Sequence, residues 1–318
     1  MTPVRVGIIG AGVMGAAHIR TLSGAISGAT VAAVYDADAT RAAAAAPGAR
    51  VLDDPFALIT DAGVDAVLIA SPDPTHEAFV LAALAAGKPT LCEKPLAPDT
   101  EAGLRIVDAE LAVGRRLVSV GFMRRYDAGY LELKHALDAG DIGAALLLHC
   151  VHRNAGSPAG FTSSMLVTSS AAHEIDVARW LLGAEITAVT SHRPPVSGLV
   201  PTALQDPQFL VFETSTGVLV DVEVFVNAQY GYDVHCELVG ERGTATASGP
   251  VTPDWRERFA AAYRYELQDW VDGIRAGESR GASVWDGYVA TAVAQAGVVA
   301  LDGGRTPVEL VAKPVLYK

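Results

Sequence analysis

The sequence predicts an α/β fold in two domains, a doubly wound parallel sheet followed by an α+β domain with a large, mostly antiparallel open sheet. The chain has 318 residues, more than one hydrophobic core usually carries. Short apolar runs alternate with helix-forming segments up to about residue 121, and runs of β-branched residues separated by glycine turns follow. We therefore predict one domain over residues 1–121 and a second over residues 122–318.

The first part of the chain alternates strand and helix signals, the pattern of a parallel sheet covered by helices on both faces. Thr75–Ala86 and Thr100–Val113 have helix-forming composition with apolar residues three and four positions apart, and the alanine-rich tract Arg41–Ala46 is interpreted as a helix. The predicted strands are Val4–Ile9, Thr30–Tyr35, Ala66–Ile69, Pro89–Cys92 and Arg116–Val120.

The second part has a different pattern, with turn signals at Ser215–Gly217 and Gly240–Gly243 that predict antiparallel hairpins. One helix over Gly129–Ala139 precedes the sheet, and helices over Trp255–Arg275 and Val284–Leu301 close the chain. The predicted strands are Ala144–Asn154, Thr187–Arg193, Gln208–Glu213, Gly217–Val226 and Asp233–Val239.

Composition excludes several classes of protein. The net charge is −12 with no basic run of five residues, which disfavours binding to nucleic acid or to an anionic membrane. No apolar run approaches the roughly 20 residues that span a bilayer, and the N-terminus lacks a basic segment followed by an apolar one. We expect a cytoplasmic protein with a small-molecule substrate.

Cysteine and histidine spacing indicates no metal site. Cys92, Cys150 and Cys236 lie far apart in the sequence, and the eight histidines show no ligand spacing such as HxxxH. An odd, scattered set of cysteines fits reduced thiols better than a disulfide framework.

The segment GAGVMG, residues 10–15, follows the first predicted strand and opens a helix. Gly10 permits a tight turn, Gly12 removes a side chain that would block a pyrophosphate, and Gly15 lets helix and strand pack closely. Val13 and Met14 lie at the helix N-terminus, whose N–H groups bind phosphate. These features predict a Rossmann dinucleotide-binding site.

Asp36 follows the second predicted strand, 21 residues beyond Gly15. Its carboxylate would accept hydrogen bonds from the adenosine ribose and repel a 2′-phosphate. No arginine follows immediately, since Arg41 is five positions away, so we predict NAD in preference to NADP.

Lys94, in the segment CEKP, follows another predicted parallel strand, and the carboxyl ends of such strands face the ligand crevice. A positive nicotinamide ring and desolvation would both lower the pKa of Lys94, which would then help remove a hydroxyl proton. The competing interpretation is a surface lysine in an ion pair with Glu93.

The motifs together resemble the glucose–fructose oxidoreductase and inositol dehydrogenase (Gfo/Idh/MocA) family, and within it the inositol 2-dehydrogenases. The resemblance runs from Val4 to Val311, nearly the whole chain. The matching segments are GAGVMG at residues 10–15, Asp36, Ser71-Pro72, Thr75-His76, Glu93-Lys94-Pro95, GFMRRYD at residues 121–127, HCVHRN at residues 149–154, HEIDV at residues 173–177, Asn227 with YGYD at residues 230–233, and Asp254-Trp255 with RFAAAY at residues 258–263.

The resemblance implies roles for particular side chains. Lys94 and His173 are the implied catalytic pair that shares proton handling during hydride transfer to NAD. His152 and Asn154, two apart on a predicted strand, are expected to bind ring hydroxyls from one face, with Arg124 and Tyr232 as further substrate contacts. Other implied cofactor contacts are Ser71, Thr75, His76 and Glu93, although Thr75 would also serve as a helix N-cap. The resemblance further implies a homotetramer packed through the open face of the second sheet.

One position departs from the family pattern. Similar inositol dehydrogenases carry an aspartate one helical turn before the histidine, where this chain has Ser169. A carboxylate there would orient the imidazole and bind substrate, whereas serine supplies no charge. Asp176, on the next turn, is a possible replacement. The change leaves open a different preferred polyol, slower turnover or no activity.

The sequence is therefore compatible with three functions. The first is NAD-dependent oxidation of a secondary hydroxyl of a cyclic polyol such as an inositol or a related sugar, supported by Lys94, His173 and Asp36. The second is a catalytically weak NAD-binding regulator, supported only by Ser169. The third is an NAD-dependent glycoside hydrolase, which related folds include but the C-terminal segments disfavour.

Overall fold

The computed structural model describes residues 2–200 and 204–318, which form two compact units. The strands are β1 Val4–Ile9, β2 Ala29–Tyr35, β3 Arg50–Val51, β4 Ala66–Ile69, β5 Thr90–Glu93, β6 Val118–Gly121, β7 Ala145–Arg153, β8 Ile186–His192, β9 Gln208–Thr214, β10 Leu219–Phe225, β11 Asp233–Gly240, β12 Thr244–Ala247, β13 Ala282–Ser283 and β14 Arg305–Pro307. The helices are α1 Val13–Ala25, α2 Ala39–Ala45, α3 Pro55–Thr60, α4 His76–Ala85, α5 Thr100–Val113, α6 Ala128–Asp138, α7 Ser163–Met165, α8 Ala172–Leu182, α9 Trp255–Arg258, α10 Ala260–Ala276 and α11 Val284–Ala300.

The first unit contains a seven-stranded sheet in the order β13-β6-β5-β4-β1-β2-β3. All neighbours are parallel except β13, which pairs antiparallel with β6. All four residues of β4 are buried, as expected of a central strand covered on both faces. The predicted doubly wound sheet is confirmed, and α5 spans the predicted residues.

The second unit contains a seven-stranded sheet in the order β12-β11-β7-β10-β9-β8-β14. Burial alternates along β9, β10 and β11, so that one face is packed and the other is more open. The predicted hairpins β9–β10 and β11–β12 are present, but β7 and β10 pair in parallel. The sheet is therefore mostly antiparallel, as predicted, with one parallel pair.

Two sequence-based expectations differ from the structure at the end of the chain. The predicted helix Trp255–Arg275 is divided into α9 and α10 at Phe259. Residues 263–289 and 312–318 cluster with the first unit, whereas the predicted division assigned all of 122–318 to the second domain. The physical reason is apolar packing, because Leu267, Trp270 and Val271 of α10 join the core formed around β1, β4 and α1.

Two cysteines that are distant in the sequence are neighbours in the second sheet. Cys150 of β7 and Cys236 of β11 are register partners on antiparallel strands, and both are buried. The hydrogen bond that its thiol makes with the neighbouring Cys236, together with burial, raises the pKa of Cys150 well above its usual range. A thiol of raised pKa carries little thiolate at neutral pH and is therefore weakly reactive.

No helix in the described ranges is long and apolar enough to span a bilayer. Among the same residues, no group of three or more His, Cys, Asp and Glu side chains has an arrangement that could hold a metal ion.

Glu110, buried on α5, joins three parts of the first unit. Its Oε1 accepts hydrogen bonds from the backbone N–H groups of Leu117 and Val118, each at 2.8 Å. Its Oε2 accepts from the hydroxyl of Tyr317 at 2.8 Å. The side chain therefore fixes the start of β6 and the C-terminal segment relative to α5.

We expect Glu110→Ala to lower the free energy of unfolding by about 3 kcal/mol, because two buried N–H groups and a hydroxyl lose their acceptor. Tyr317→Phe removes only one of these bonds and should cost about 1 kcal/mol. Urea denaturation followed by fluorescence measures both. Equal losses in the two variants would show that the backbone contacts of Glu110 contribute nothing.

Candidate functional site

The glycine-rich turn between β1 and α1 has the geometry that a pyrophosphate requires. Gly10 has a φ of +98°, and a Cβ there would lie 2.5 Å from the carbonyl oxygen of Ala70. A Cβ on Gly15 would lie 1.9 Å from the carbonyl oxygen of Gly10. A Cβ on Gly12 would meet nothing within 4 Å among the described residues, so the space in front of α1 is open.

The N-terminus of α1 fits a phosphate group. Gly12 is its N-cap, and no side chain in the described structure caps it. The first N–H groups, which include those of Val13 and Met14, therefore face the open space in front of Gly12. The residues present fit a dinucleotide.

Asp36 lies directly after β2 and is tied to the glycine-rich turn. Its Oδ2 accepts a hydrogen bond from the backbone N–H of Ala11 at 2.7 Å, and its Oδ1 accepts from that of Asp38 at 2.9 Å. Burial opposes ionisation, but the hydrogen bonds from Arg41 and from these two N–H groups lower the pKa of Asp36 below its usual value. The carboxylate is therefore charged at neutral pH.

Arg41 contacts Asp36 despite the five positions between them. Its Nη2 donates to Oδ1 of Asp36 at 2.6 Å and its Nε at 3.2 Å, while half of the Arg41 side chain remains exposed. Sequence spacing did not reveal this contact, because the start of α2 folds back toward the end of β2. A 2′-phosphate would meet a carboxylate that is partly neutralised.

The segment after β5 is held by Glu93, which is buried. Its Oε1 lies 2.7 Å from Nε2 of His18 on α1, and its Oε2 accepts from the backbone N–H of Lys94 at 3.2 Å. Burial raises the pKa of Glu93, but the bond and charge of His18, with Lys94 nearby, bring it below its usual value. Lys94 itself is half-buried. Glu93 thus positions the backbone at Lys94, and sequence analysis missed its partner His18.

Ser71, Thr75 and His76 lie between β4 and α4. The hydroxyls of Ser71 and Thr75 are 2.7 Å apart, and Thr75 also donates to the carbonyl oxygen of Pro72 at 2.7 Å. Thr75 is the residue before α4, but its side chain does not cap that helix. His76 is the first residue of α4 and is 1% exposed, with both ring nitrogens against backbone carbonyl oxygens.

In the second unit, five predicted or neighbouring residues form one polar cluster, defined as Arg124, His152, His173, Glu174 and Tyr232. Arg124 and Glu174 are each 1% exposed and form an ion pair. The pKa of Glu174 is raised by burial, but the charges of Arg124 and His152 lower it to about 2. Both members of the pair are therefore charged in the interior of the unit.

His152 joins this ion pair to the other rings of the polar cluster. Its Nδ1 lies 3.1 Å from both carboxylate oxygens of Glu174 and 3.1 Å from Nη2 of Arg124. Its ring centroid is 6.3 Å from that of His173 and 6.0 Å from that of Tyr232. Because the ionised carboxylate accepts a hydrogen bond from Nδ1–H, Nε2 of His152 is the nitrogen left to face a ligand.

Tyr232 remains a neutral phenol across the physiological range. Burial raises its pKa to about 12, with the charge of Arg124 acting in the opposite direction. Backbone bonds with Thr252, at 2.6 and 3.1 Å, hold Tyr232 in place. Its hydroxyl can both donate and accept a hydrogen bond.

Asn154 follows the end of β7, two positions after His152. Its Oδ1 is buried, and no hydrogen-bond partner for it occurs among residues 2–200 and 204–318. A buried carbonyl oxygen without a donor is costly, so a ligand hydroxyl is a suitable donor.

Ser169 and His173 lie on opposite sides of a change in helix geometry. Ser169 belongs to a π-helical turn over Leu166–Ser170, and His173 is in the first turn of α8. Such turns are frequent at functional sites. Both carboxylate oxygens of Asp176 accept from Arg125, at 2.5 and 2.9 Å, so this acid is already neutralised by a cation.

Glu174 is the residue of the polar cluster to which sequence analysis assigned no role. It stands beside His173 in a helix whose residues are otherwise largely buried. A signal was present, because a buried acid in such a helix requires a cationic or hydrogen-bonding partner.

Comparison with known proteins identifies the family of the chain. Residues 4–122 match the GFO/IDH/MocA oxidoreductase family with its NAD-binding Rossmann fold, and residues 130–246 match the C-terminal domain of that family. Inositol 2-dehydrogenase 2 of Saccharopolyspora erythraea is 56% identical over 99% of this chain and 98% of the relative. Inositol 2-dehydrogenase of Klebsiella pneumoniae is 47% identical over 99% of each. The crystal structure of myo-inositol dehydrogenase from Lactobacillus casei, in complex with NAD(H) and myo-inositol, has a TM-score of 0.97 at 37% identity over 100% of both chains.

The contact between Arg41 and Asp36 generates a prediction on cofactor discrimination. Asp36→Ala should weaken NADH binding about tenfold or more, the effect of one lost hydrogen bond to a charged group. Arg41→Ala should leave NADH binding nearly unchanged and weaken NADPH binding, because the 2′-phosphate would then face the carboxylate alone. Fluorescence titration with each nucleotide measures both, and Arg20→Ala on α1 is the control. Unchanged NADH affinity in Asp36→Ala would remove Asp36 from the ribose site.

The buried ion pair generates a prediction on stability. Glu174→Gln leaves Arg124 without its counter-charge and should lower the free energy of unfolding by about 3 kcal/mol at pH 7. Because the pKa of Glu174 is lowered in the folded protein, its ionisation stabilises the fold fully above its unfolded pKa and ceases to do so as the pH falls toward about 2.

The difference between wild type and Glu174→Gln should therefore shrink below about pH 4.5. Urea denaturation at several pH values measures it, with the exposed Glu132→Gln as the matched control. A difference that does not change with pH would contradict a charged Glu174.

Proposed function

Because the chain belongs to the GFO/IDH/MocA oxidoreductase family, we propose that it is an NAD-dependent dehydrogenase that oxidises a secondary hydroxyl of inositol, or of a closely related cyclic polyol, to the ketone. The observation that carries the proposal is the polar cluster with Asn154, in a chain that is similar over its whole length to inositol 2-dehydrogenases. Hydroxyls are small donors and acceptors, and this set of side chains offers both.

We assign the cofactor to the first unit. Gly10, Gly12 and Gly15 shape the turn, the N-terminus of α1 binds the pyrophosphate, and Asp36 binds the adenosine ribose. Ser71 and Thr75, with hydroxyls 2.7 Å apart, and the backbone segment held by Glu93 complete the cofactor contacts. NAD, when bound, accepts the hydride.

Lys94 and His173 share proton handling in this proposal. An alcohol that loses a hydride from carbon must also lose its hydroxyl proton, and a lysine amine or a neutral imidazole can accept that proton. His152, Asn154 and Tyr232 would bind the remaining ring hydroxyls. Arg124 is the fixed cation that holds the carboxylate of Glu174 against the ring of His152.

We further propose a cytoplasmic homotetramer that packs through the open face of the second sheet. Leu147 of β7 and Leu219 of β10 are register partners and are both exposed. Adjacent exposed leucines on one sheet face favour contact with a second copy.

Restoring a carboxylate at residue 169 tests the proposed function. Wild type should form NADH slowly with at least one of myo-, scyllo- and chiro-inositol or a common aldose. Ser169→Asp should raise kcat/KM on myo-inositol about 10²-fold, because a carboxylate there would bind substrate and stabilise a protonated His173. The control is Ser169→Asn, because asparagine has nearly the same shape as aspartate but carries no charge.

NADH absorbance over the same panel distinguishes the outcomes. A gain with Asp and none with Asn would show that the missing carboxylate limits the reaction. Turnover of no cyclic polyol or sugar by either wild type or Ser169→Asp, with NADH binding retained, would overturn the dehydrogenase and favour an NAD-binding regulator.

A further inference from the structure

His76 has an acceptor on each side of its ring. Its Nδ1 lies 2.7 Å from the carbonyl oxygen of Pro95, and its Nε2 lies 2.9 Å from that of Ser71. A carbonyl oxygen only accepts, so each ring nitrogen must carry a proton to make its bond. A neutral imidazole has one ring proton and would leave one nitrogen lone pair facing an oxygen lone pair.

The two carbonyl groups belong to different strand ends. Ser71 lies just beyond β4, and Pro95 lies just beyond β5 and directly after Lys94. Both segments carry residues assigned above to the cofactor or to proton transfer. His76 thus joins the backbones of the two segments.

We propose that His76 is a doubly protonated positioning residue, an imidazolium that ties the ends of β4 and β5 together behind the cofactor site. Its direct bonds are to the protein backbone, so it acts on cofactor and substrate through the position of Ser71 and Lys94. This effect on binding rests on the proposed function, whereas the protonation of the ring does not.

The electrostatic surroundings support a charged ring. Burial lowers the pKa of His76, but the charge of Cys92 on β5, a hydrogen bond to that side chain and the bonds to the carbonyl oxygens of Pro95 and Ser71 outweigh it and raise the pKa to about 10. The nearest acid on α4, Glu77, is bound to Arg105 of α5 at 2.5 and 3.1 Å. The charged form is therefore retained across the physiological range.

The imidazolium binds the carbonyl group of Pro95, which directly follows Lys94, and so helps to fix the backbone at that lysine. The buried His76 side chain thus holds a positive charge between the ends of β4 and β5.

The first test reads the proton positions directly in the wild-type protein. Protein with ¹⁵N-labelled histidine should show, by NMR at pH 8.5, an imidazole with both nitrogens protonated, and His76→Gln should remove that signal. His192→Gln, at an exposed position, should leave it in place. If His76→Gln does not fold, neutron diffraction from wild-type crystals at pH 8.5 shows both ring deuterons or only one. A neutral tautomer by either method overturns the proposal.

The second test connects the charge to binding. Glutamine can donate at only one end, so His76→Gln should bind NADH about tenfold more weakly at pH 8, as expected for one lost bond to a charged group. Because the pKa is raised in the folded protein, the difference from wild type should persist below pH 9 and shrink as the pH rises through about 10.

His192→Gln should follow the wild-type profile. Equal NADH affinity in wild type and His76→Gln at pH 8 would overturn the positioning role of His76, even if the doubly protonated ring is observed. Absence of NADH binding in wild type would instead count against the proposed function.

Discussion

The buried ion pair between Arg124 and Glu174 is the interaction on which the polar cluster of the second unit depends. Two charges removed from water are stable only when each meets the other with good geometry and further hydrogen bonds. Arg124 also lies 5.6 Å from the ring of Phe259 and 6.0 Å from that of Tyr130, so its other surface is packed against aromatic side chains. The pair in turn orients His152, and His152 contacts His173 and Tyr232.

The first unit uses the same principle at the ends of its parallel strands. Glu93 meets His18, and His76 meets two backbone carbonyl groups, so polar residues at the ends of β4 and β5 are anchored by buried partners. The carboxylate of Asp36 accepts hydrogen bonds from the backbone N–H groups of Ala11 and Asp38 and also from the guanidinium of Arg41. Anchoring of this kind limits side-chain motion and holds the binding groups in one geometry.

Ser169 shows how one position can be altered while its surroundings remain. The π-helical turn, the buried His173 and the Arg124–Glu174 pair are all present, yet the side chain at residue 169 carries no charge. Asp176 is held by Arg125, which gives that acid a structural role in the second unit. A substrate or a cofactor that needs a carboxylate at this place would therefore have to find it in another group.

The sequence by itself determined the fold class, the positions of most strands and helices, the glycine-rich turn, the place of Asp36 after the second strand, and the family. Each of these depends on local spacing or on a contiguous motif, which a single chain displays directly. It did not reveal the contact of Arg41 with Asp36, the pairing of Glu93 with His18, the role of Glu174, the parallel pairing of β7 with β10 or the return of α10 to the first unit.

Only the tertiary structure decided these features, because they join residues that are distant along the chain. Cys150 and Cys236 are 86 positions apart, yet they are direct partners across two strands. Whether a buried histidine is neutral or charged depends on which atoms face its two nitrogens. For His76 those atoms come from the ends of two separate strands, and a sequence carries no distance between them.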